Sequence, residues 1–495
     1  MSAARRDLLA LNVGPSRVHL ERTDVCVAGT MIPRVEVAII GAGPAGLSAA
    51  HALVQRGVDV LVLEKAHTVG GIARTELHNG YRFDIGGHRF FTKLPSVQHL
   101  WEETLGEDFL TVTRRSHIYY GGHFLRYPLE LSDALLRLGP WESFLILLSY
   151  LRARLQPEPD EESLEHWLIN RFGRRLYRMF FKIYTEKVWG RPCHEIRSDW
   201  AAQRIRGLSL TAAATNAIFG TNNAKSLIRG FQYPRLGPGQ MWQRLCQEVQ
   251  DKGGLVWLGA KVVGLERSGE HIKQLVVRRD GRTEQLSAEH IISSMPLGEL
   301  VGQLEPPAPQ EVSEAGRNLT YRDFVLVGLL LSRASPFDDN WIYVHSPDVQ
   351  VGRVQNCRNW SAAMVPDPDG VSLGMEYFCT AGDGLWRMAD RELIALAGRE
   401  IEQLGLAKAA DTVDGVVFRQ PKAYPIYDHE YRDHVALIRG FLAGIRNLQT
   451  IGRNGMHRYN NMDHSMLTGM LAARNALGEA HDLWAVNTEQ AHHEH

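Results

Sequence analysis

Apolar positions along the chain change period several times, and each change marks a different element. A short continuous run, Val37-Ala38-Ile39-Ile40, breaks at Gly41, Gly43 and Gly46 and then takes helical spacing to Leu53. A second apolar run, Val58 to Leu63, ends at Glu64. This is strand, turn, helix, strand. From Ser96 to about Ala224 the spacing is mostly helical and rich in aromatics, with Ser163 placed to open one helix. Strand patterns return at Gly254–Leu265, Ile272–Val277, His290–Leu297, Phe324–Ser332 and Leu373–Cys379. Asp390–Leu404 reads as an amphipathic helix stopped by Gly405, and Leu448–Leu477 as strand, glycine loop and helix.

The interleaving predicts an α/β protein: a discontinuous Rossmann-type domain (34–100, 225–300, 415–480) interrupted by a helical insert (101–224) and a β-rich substrate domain (301–414). Residues 1–33 are expected to be a flexible extension, since Met31-Ile32-Pro33-Arg34 looks like a fresh start, and 481–495 a tail. The most hydrophobic helical piece, Phe144–Leu151, is expected to be a buried helix rather than a membrane contact.

The first unit has the parts of a dinucleotide site. Gly41 permits the tight turn, Gly43 lets backbone amides approach a pyrophosphate, and Gly46 lets helix and strand pack closely. The helix N-terminus offers partial positive charge to the phosphates, and Glu64 a carboxylate to a ribose 2′-OH. Gly70-Gly71 and Gly86-Gly87 follow closely, as expected of backbone wrapped around a large planar cofactor.

Composition narrows the alternatives. A net charge of −1 gives no support for a nucleic-acid partner, and no apolar run reaches the roughly 18 residues of a spanning helix. Five scattered cysteines without a CxxC pair suggest neither disulfides nor zinc, and fit a reducing cytoplasm. There is no GxSxG or HExxH, and no metal site is expected.

With these motifs in view, residues 35 to 480 resemble the FAD-dependent family that groups protoporphyrinogen oxidases, amine oxidases and UDP-galactopyranose mutases. VGGIART resembles its second glycine-arginine motif, which implies that Gly70, Gly71 and Arg74 serve the cofactor; Val262 or Val263 would meet the adenine. FDIGGHRFF resembles the mutases' flavin-side loop, with Gly87 and His88 beside the ring and Phe91 where that loop has a second histidine. GRNGMHRYNNMD is similar to their flavin block, placing Gly452, Arg453, Met462 and Asp463 at the flavin and Tyr459 on substrate diphosphate. YRMFFKIYTEKVWG is similar to their substrate helix, with Tyr184 and Trp189 facing the sugar nucleotide; RVQNCRNWS loosely matches a phosphate-arginine stretch, giving Arg353.

The resemblance implies an FAD enzyme acting on a small molecule, either a UDP-sugar through the flavin N5 or an apolar substrate by oxidation. His88, Arg353 and Arg453 would then lie at the reacting end. One of Arg204 or Arg206 would add a phosphate contact, unless both are surface charges. Several positions also admit plainer roles: Trp189, Tyr184 and His88 in a core, and Asp463 with His464 as a helix cap.

Overall fold

The computed structural model describes residues 25–27, 30–127, 138–198, 230–332, 337–367 and 369–487. Two large sheets organise them. The first has eight strands: Leu255–Trp257, Val60–Leu63, Arg34–Ile40, Arg282–Ser293, His271–Arg279, Lys261–Ser268 and Leu304–Glu305 in spatial order, with Leu448–Thr450 beside Arg282–Ser293. Its parallel half is buried on both faces, which explains the unbroken apolar runs at 37–40 and 60–63. Helices Pro44–Val54 and Met462–Ala476 cross on this half. A methyl group at Gly469 would come within 2.1 Å of Ala45 O, so only glycine allows the approach.

The second sheet has seven strands, ordered Thr412–Pro425, Tyr321–Leu331, Val371–Cys379, Arg353–Asn356, Trp341–Val344, Ser116–Tyr120 and His123–Arg126. Two boundaries therefore differ from the sequence reading. Ser116–Tyr120 and His123–Arg126, expected within a helical insert, are strands that complete this sheet. Thr412–Pro425, expected from 415 onward to join the nucleotide domain, is an outer strand of the same sheet. Both short strands carry tyrosines and phenylalanine that pack on a half-buried surface, and this outweighs the loose helical spacing around them.

The helical portion brings Pro140–Leu155 against Leu164–Leu176, which Ser163 caps by accepting from His166 N at 3.2 Å. Gly173 breaks the second helix at φ 80°. Its missing side chain admits the Tyr150 backbone, where a Cβ would lie 2.8 Å away. The expectation of a buried 144–151 segment is overturned: Ile146, Tyr150 and Ala153 pack inward, but Phe144, Leu147, Leu148 and Leu151 face outward. The apolar spacing predicted a helix and left open which of its faces the fold would cover.

At the ends, Val25–Val27 pairs antiparallel with Thr30–Ile32, while residues 1–24 and 28–29 of the expected extension lie outside the described residues. The expected tail starts as a docked segment, because Arg458 Nη1 donates to Trp484 O and Val486 O at 2.7 and 2.8 Å. Among the described residues no helix is long and apolar enough to cross a membrane.

Candidate active site

A single cavity of about 1260 Å³ runs from the parallel half of the first sheet to one face of the second. At one end lie Gly41, Gly43, Glu64 and Gly71. Gly41 holds φ +101°, and a methyl group at Gly46 would come within 1.8 Å of Gly41 O. Gly46 thus packs helix on strand and does not line the cavity. Gly70 also stays outside, at φ +103° under Trp242. Gly43 and Gly71 face each other closely: a Cβ on Gly71 would lie 3.3 Å from Gly43 Cα. The Glu64 carboxylate is pinned by Ala42 N and Ala66 N, both at 2.8 Å. Ala260 N donates to Glu64 O, which sets the next strand beside it; Val262 reaches the cavity wall and Val263 does not.

Two helices end in this cavity without a side-chain cap: Pro44–Val54, through Gly43, and Met462–Ala476, through Asn461. Their N-terminal N–H groups and dipoles favour an anion there. Met462 and Asp463 both line the cavity. Asp463 does not cap its helix, since it is the second helical residue; its carboxylate accepts from Thr92 Oγ1 at 3.1 Å and from His464 N at 2.8 Å. Arg74 lines the wall but is already engaged, with Glu76 at 2.5 Å and with Gly71 O and Gln420.

At the other end the second sheet supplies a row of side chains. Ile118, Tyr343, Arg353 and Glu376 are successive cross-strand neighbours, and all four line the cavity. Arg353 Nε pairs with the fully buried Glu376 carboxylate, whose other oxygen accepts from Gln355; Arg353 Nη2 donates to Tyr424 Oη at 3.1 Å. Arg453 is held differently. Its guanidinium lies 4.0 Å from the Tyr459 ring centre and 4.9 Å from that of Tyr424, its Nε is buried without a hydrogen-bond partner, and no carboxylate ion-pairs with it among the described residues. The two tyrosines stack on each other at 5.8 Å, with Trp189 buried behind both.

The turn Tyr177–Lys182 is a π-helix leading into Ile183–Trp189. Along this stretch Phe180, Phe181, Tyr184 and Trp189 all line the cavity. Tyr184 stacks on His345 at 4.7 Å and meets Tyr343 edge-on. His88 lies in the wall with Nδ1 2.9 Å from Gly86 O. A carbonyl only accepts, so Nδ1 carries the hydrogen and Nε2 is left as an acceptor. Burial, followed by the positive charges of Arg453, Arg353 and Arg74, pushes the His88 pKa down to about 4, so the ring is neutral. Gly87 lines the same wall against Trp360.

The fold thus gathers Gly41, Gly43, Glu64, Gly71, Arg74, Gly87, His88, Tyr184, Trp189, Val262, Arg353, Gly452, Arg453, Tyr459, Met462 and Asp463 around one space, and leaves out Gly46, Gly70 and Val263. Arg204 and Arg206 lie outside the described residues. The sequence reading missed Tyr343, His345, Gln355, Glu376 and Tyr424. A signal was present: Trp341, Tyr343 and His345 alternate with period two, as do Arg353 with Gln355 and Glu376 with Phe378, so each set shares one face of a strand.

The family model for flavin containing amine oxidoreductases matches residues 44–477. Coproporphyrinogen III oxidase of Mycobacterium leprae is 26% identical over 424 residues, covering 82% of this chain and 90% of its own. Among solved structures, reduced UDP-galactopyranose mutase superposes with a TM-score of 0.80 at 20% identity, covering 92% of this chain and 98% of that one. Putrescine oxidase bound to putrescine gives 0.61 at 19% identity, over 90% and 99%. The uncapped helix ends and the glycine cradle fit a dinucleotide, and the chain belongs to the flavin-containing amine oxidoreductase family, with FAD as its cofactor.

Proposed function

We propose that this FAD enzyme acts on a nucleotide-activated sugar, with UDP-galactopyranose mutase-like chemistry. Bound FAD would supply a ring whose N5 exchanges an electron pair with the substrate. Gly41, Gly43, Gly71 and the two helix N-termini would hold its pyrophosphate, Glu64 the ribose and Val262 the adenine edge.

The carrying observation is Arg453, a cation packed against the rings of both Tyr424 and Tyr459 in the cavity wall, with no carboxylate ion-paired to it among the described residues. Such a group is stable where an anion completes it, and a diphosphate is the anion a UDP-sugar brings. Arg353 has its charge balanced by Glu376; it orients the Tyr424 hydroxyl and adds little net attraction. Tyr459 and Tyr184 would supply hydroxyl donors. Neutral His88 would present Nε2 as an acceptor and leave the local charge unchanged.

A second reading, oxidation of an apolar substrate, is favoured by Ile118, Phe180, Phe181, Phe324 and Phe378 in the same cavity and by the likeness to a coproporphyrinogen oxidase. One titration separates the two. The dithionite-reduced protein is expected to change its flavin absorbance on adding UDP or a UDP-sugar, and not on adding a porphyrinogen or polyene. Oxygen-coupled consumption of an apolar substrate by the oxidised enzyme, with no response to UDP, would overturn the sugar-nucleotide reading.

A further inference from the structure

We propose that the Pro140–Leu155 helix is a membrane-surface anchor whose outward stripe seats on a bilayer bearing anionic phospholipid headgroups. Six large apolar side chains of this helix stand in solvent: Trp141 at 70%, Phe144 at 54%, Leu147 at 51%, Leu148 at 53%, Leu151 at 49% and Leu155 at 82% exposure. At 3.6 residues per turn they fill one arc of about 120°. None of them lines the substrate cavity. The opposite face is firmly placed, because Ile146, Tyr150 and Ala153 are buried and the Tyr150 backbone sits against Gly173.

Charge selects the occupant. Exposed Arg152 and Arg154 fall just beyond the two edges of the stripe, about 20° outside Trp141 on one side and Leu147 on the other. The single acid of the helix, Glu142, is held by Arg175 through both carboxylate oxygens, at 2.6 and 2.7 Å. A second copy of the chain laid stripe to stripe would bring arginine edges together with no exposed acid on the helix to meet them. An anionic bilayer instead offers hydrocarbon to the stripe and phosphate to both edges. Tryptophan at the stripe's end suits the headgroup boundary. With 16 residues the helix lies on such a surface and does not span it.

The test uses full-length, FAD-loaded protein in flotation with vesicles of phosphatidylcholine alone or mixed with phosphatidylglycerol. The wild type is expected to float with the mixed vesicles, and less so at high salt. The triple substitution Phe144→Glu, Leu148→Glu, Leu151→Glu should abolish flotation while flavin content and thermal midpoint hold. Arg152→Gln with Arg154→Gln should weaken binding to the mixed vesicles by about thirtyfold, two charges at about 1 kcal/mol each. Absence of flotation, flotation indifferent to the triple substitution, or a sedimenting dimer that the triple substitution dissolves would each overturn the proposal.

Discussion

Arg353 and Glu376 stand directly opposite each other on neighbouring antiparallel strands, and the carboxylate is wholly buried. One acid oxygen takes Arg353 Nε and the other Gln355 Nε2, so the acid is saturated by the sheet that carries it. The pair gives the cavity wall a fixed, neutral polar row. Among the described residues, Arg453 has no carboxylate ion pair, and neither has Arg114 elsewhere on the cavity wall.

Removing one member of that pair should cost far more than removing both. Glu376→Ala strands the half-buried Arg353 guanidinium and is expected to destabilise the protein by about 3 kcal/mol. The double change Arg353→Met with Glu376→Met should be much milder. Urea unfolding of the FAD-loaded proteins checks this, and equal losses in the two variants would contradict it.

Arg453→Ala is expected to weaken UDP binding by about 10–100-fold, the worth of a charged hydrogen-bonding group at about 1.5–3 kcal/mol. Flavin content should stay close to that of the wild type, because the glycines and helix N-termini offer backbone groups that this side-chain change leaves in place. Calorimetric titration with UDP, beside the flavin-to-protein absorbance ratio, separates the two effects. A colourless variant would make Arg453 a cofactor ligand.

Two glycines of the first turn should fail differently. Gly46→Ala drives a methyl into Gly41 O and pushes the helix off its strand, so it should lower the thermal midpoint and the flavin content together. A methyl on Gly43 meets nothing nearer than 3.7 Å within the protein. Gly43→Ala should therefore keep the apoprotein's midpoint and lose FAD affinity alone. Melting curves of apo and FAD-loaded forms distinguish the outcomes.

Acid should unfold this protein through its histidines. Burial is the chief cause that holds His88, His457 and His464 down to about 4 and His345 to about 3. Between pH 6.5 and 4 the unfolded chain takes up protons that the folded chain refuses, so stability falls as pH drops through that window. Asp84 acts in the opposite sense: burial raises it to about 7, and its contribution falls as pH rises from about 4 to 7. Four histidines outweigh one aspartate, and urea midpoints should decline steadily from about pH 6.5 to 4.5. A flat profile would show that these rings are solvated. His88 should also produce no inflection in ligand binding between about pH 5.5 and 8, since it is already neutral there.

The glycine turn and Glu64 were legible from a short motif whose spacing carries its meaning, while His88, Arg453 and Tyr459 were named through the family resemblance, and all of these except Gly46 line the cavity. Tyr343, Gln355, Glu376 and Tyr424 were not legible. They come from four strands spread over 82 residues of chain, and only cross-strand register makes them neighbours. Their period-two alternation marks a shared face, yet nothing local says that this face turns toward the flavin end and away from the helix Asp390–Gln403 behind the sheet.

By itself, the amino-acid order determined the strand-turn-helix-strand that grips a dinucleotide. That unit depends on backbone freedom at Gly41, on close packing at Gly46 and on one acid after the second strand, all of which are short-range properties. Tertiary structure alone decided which charges are balanced, giving Arg353 an acid and, among the described residues, Arg453 none. It also decided that the apolar stripe of the 140–155 helix faces outward. Periodicity defines a face; what covers that face depends on elements that arrive from elsewhere in the chain.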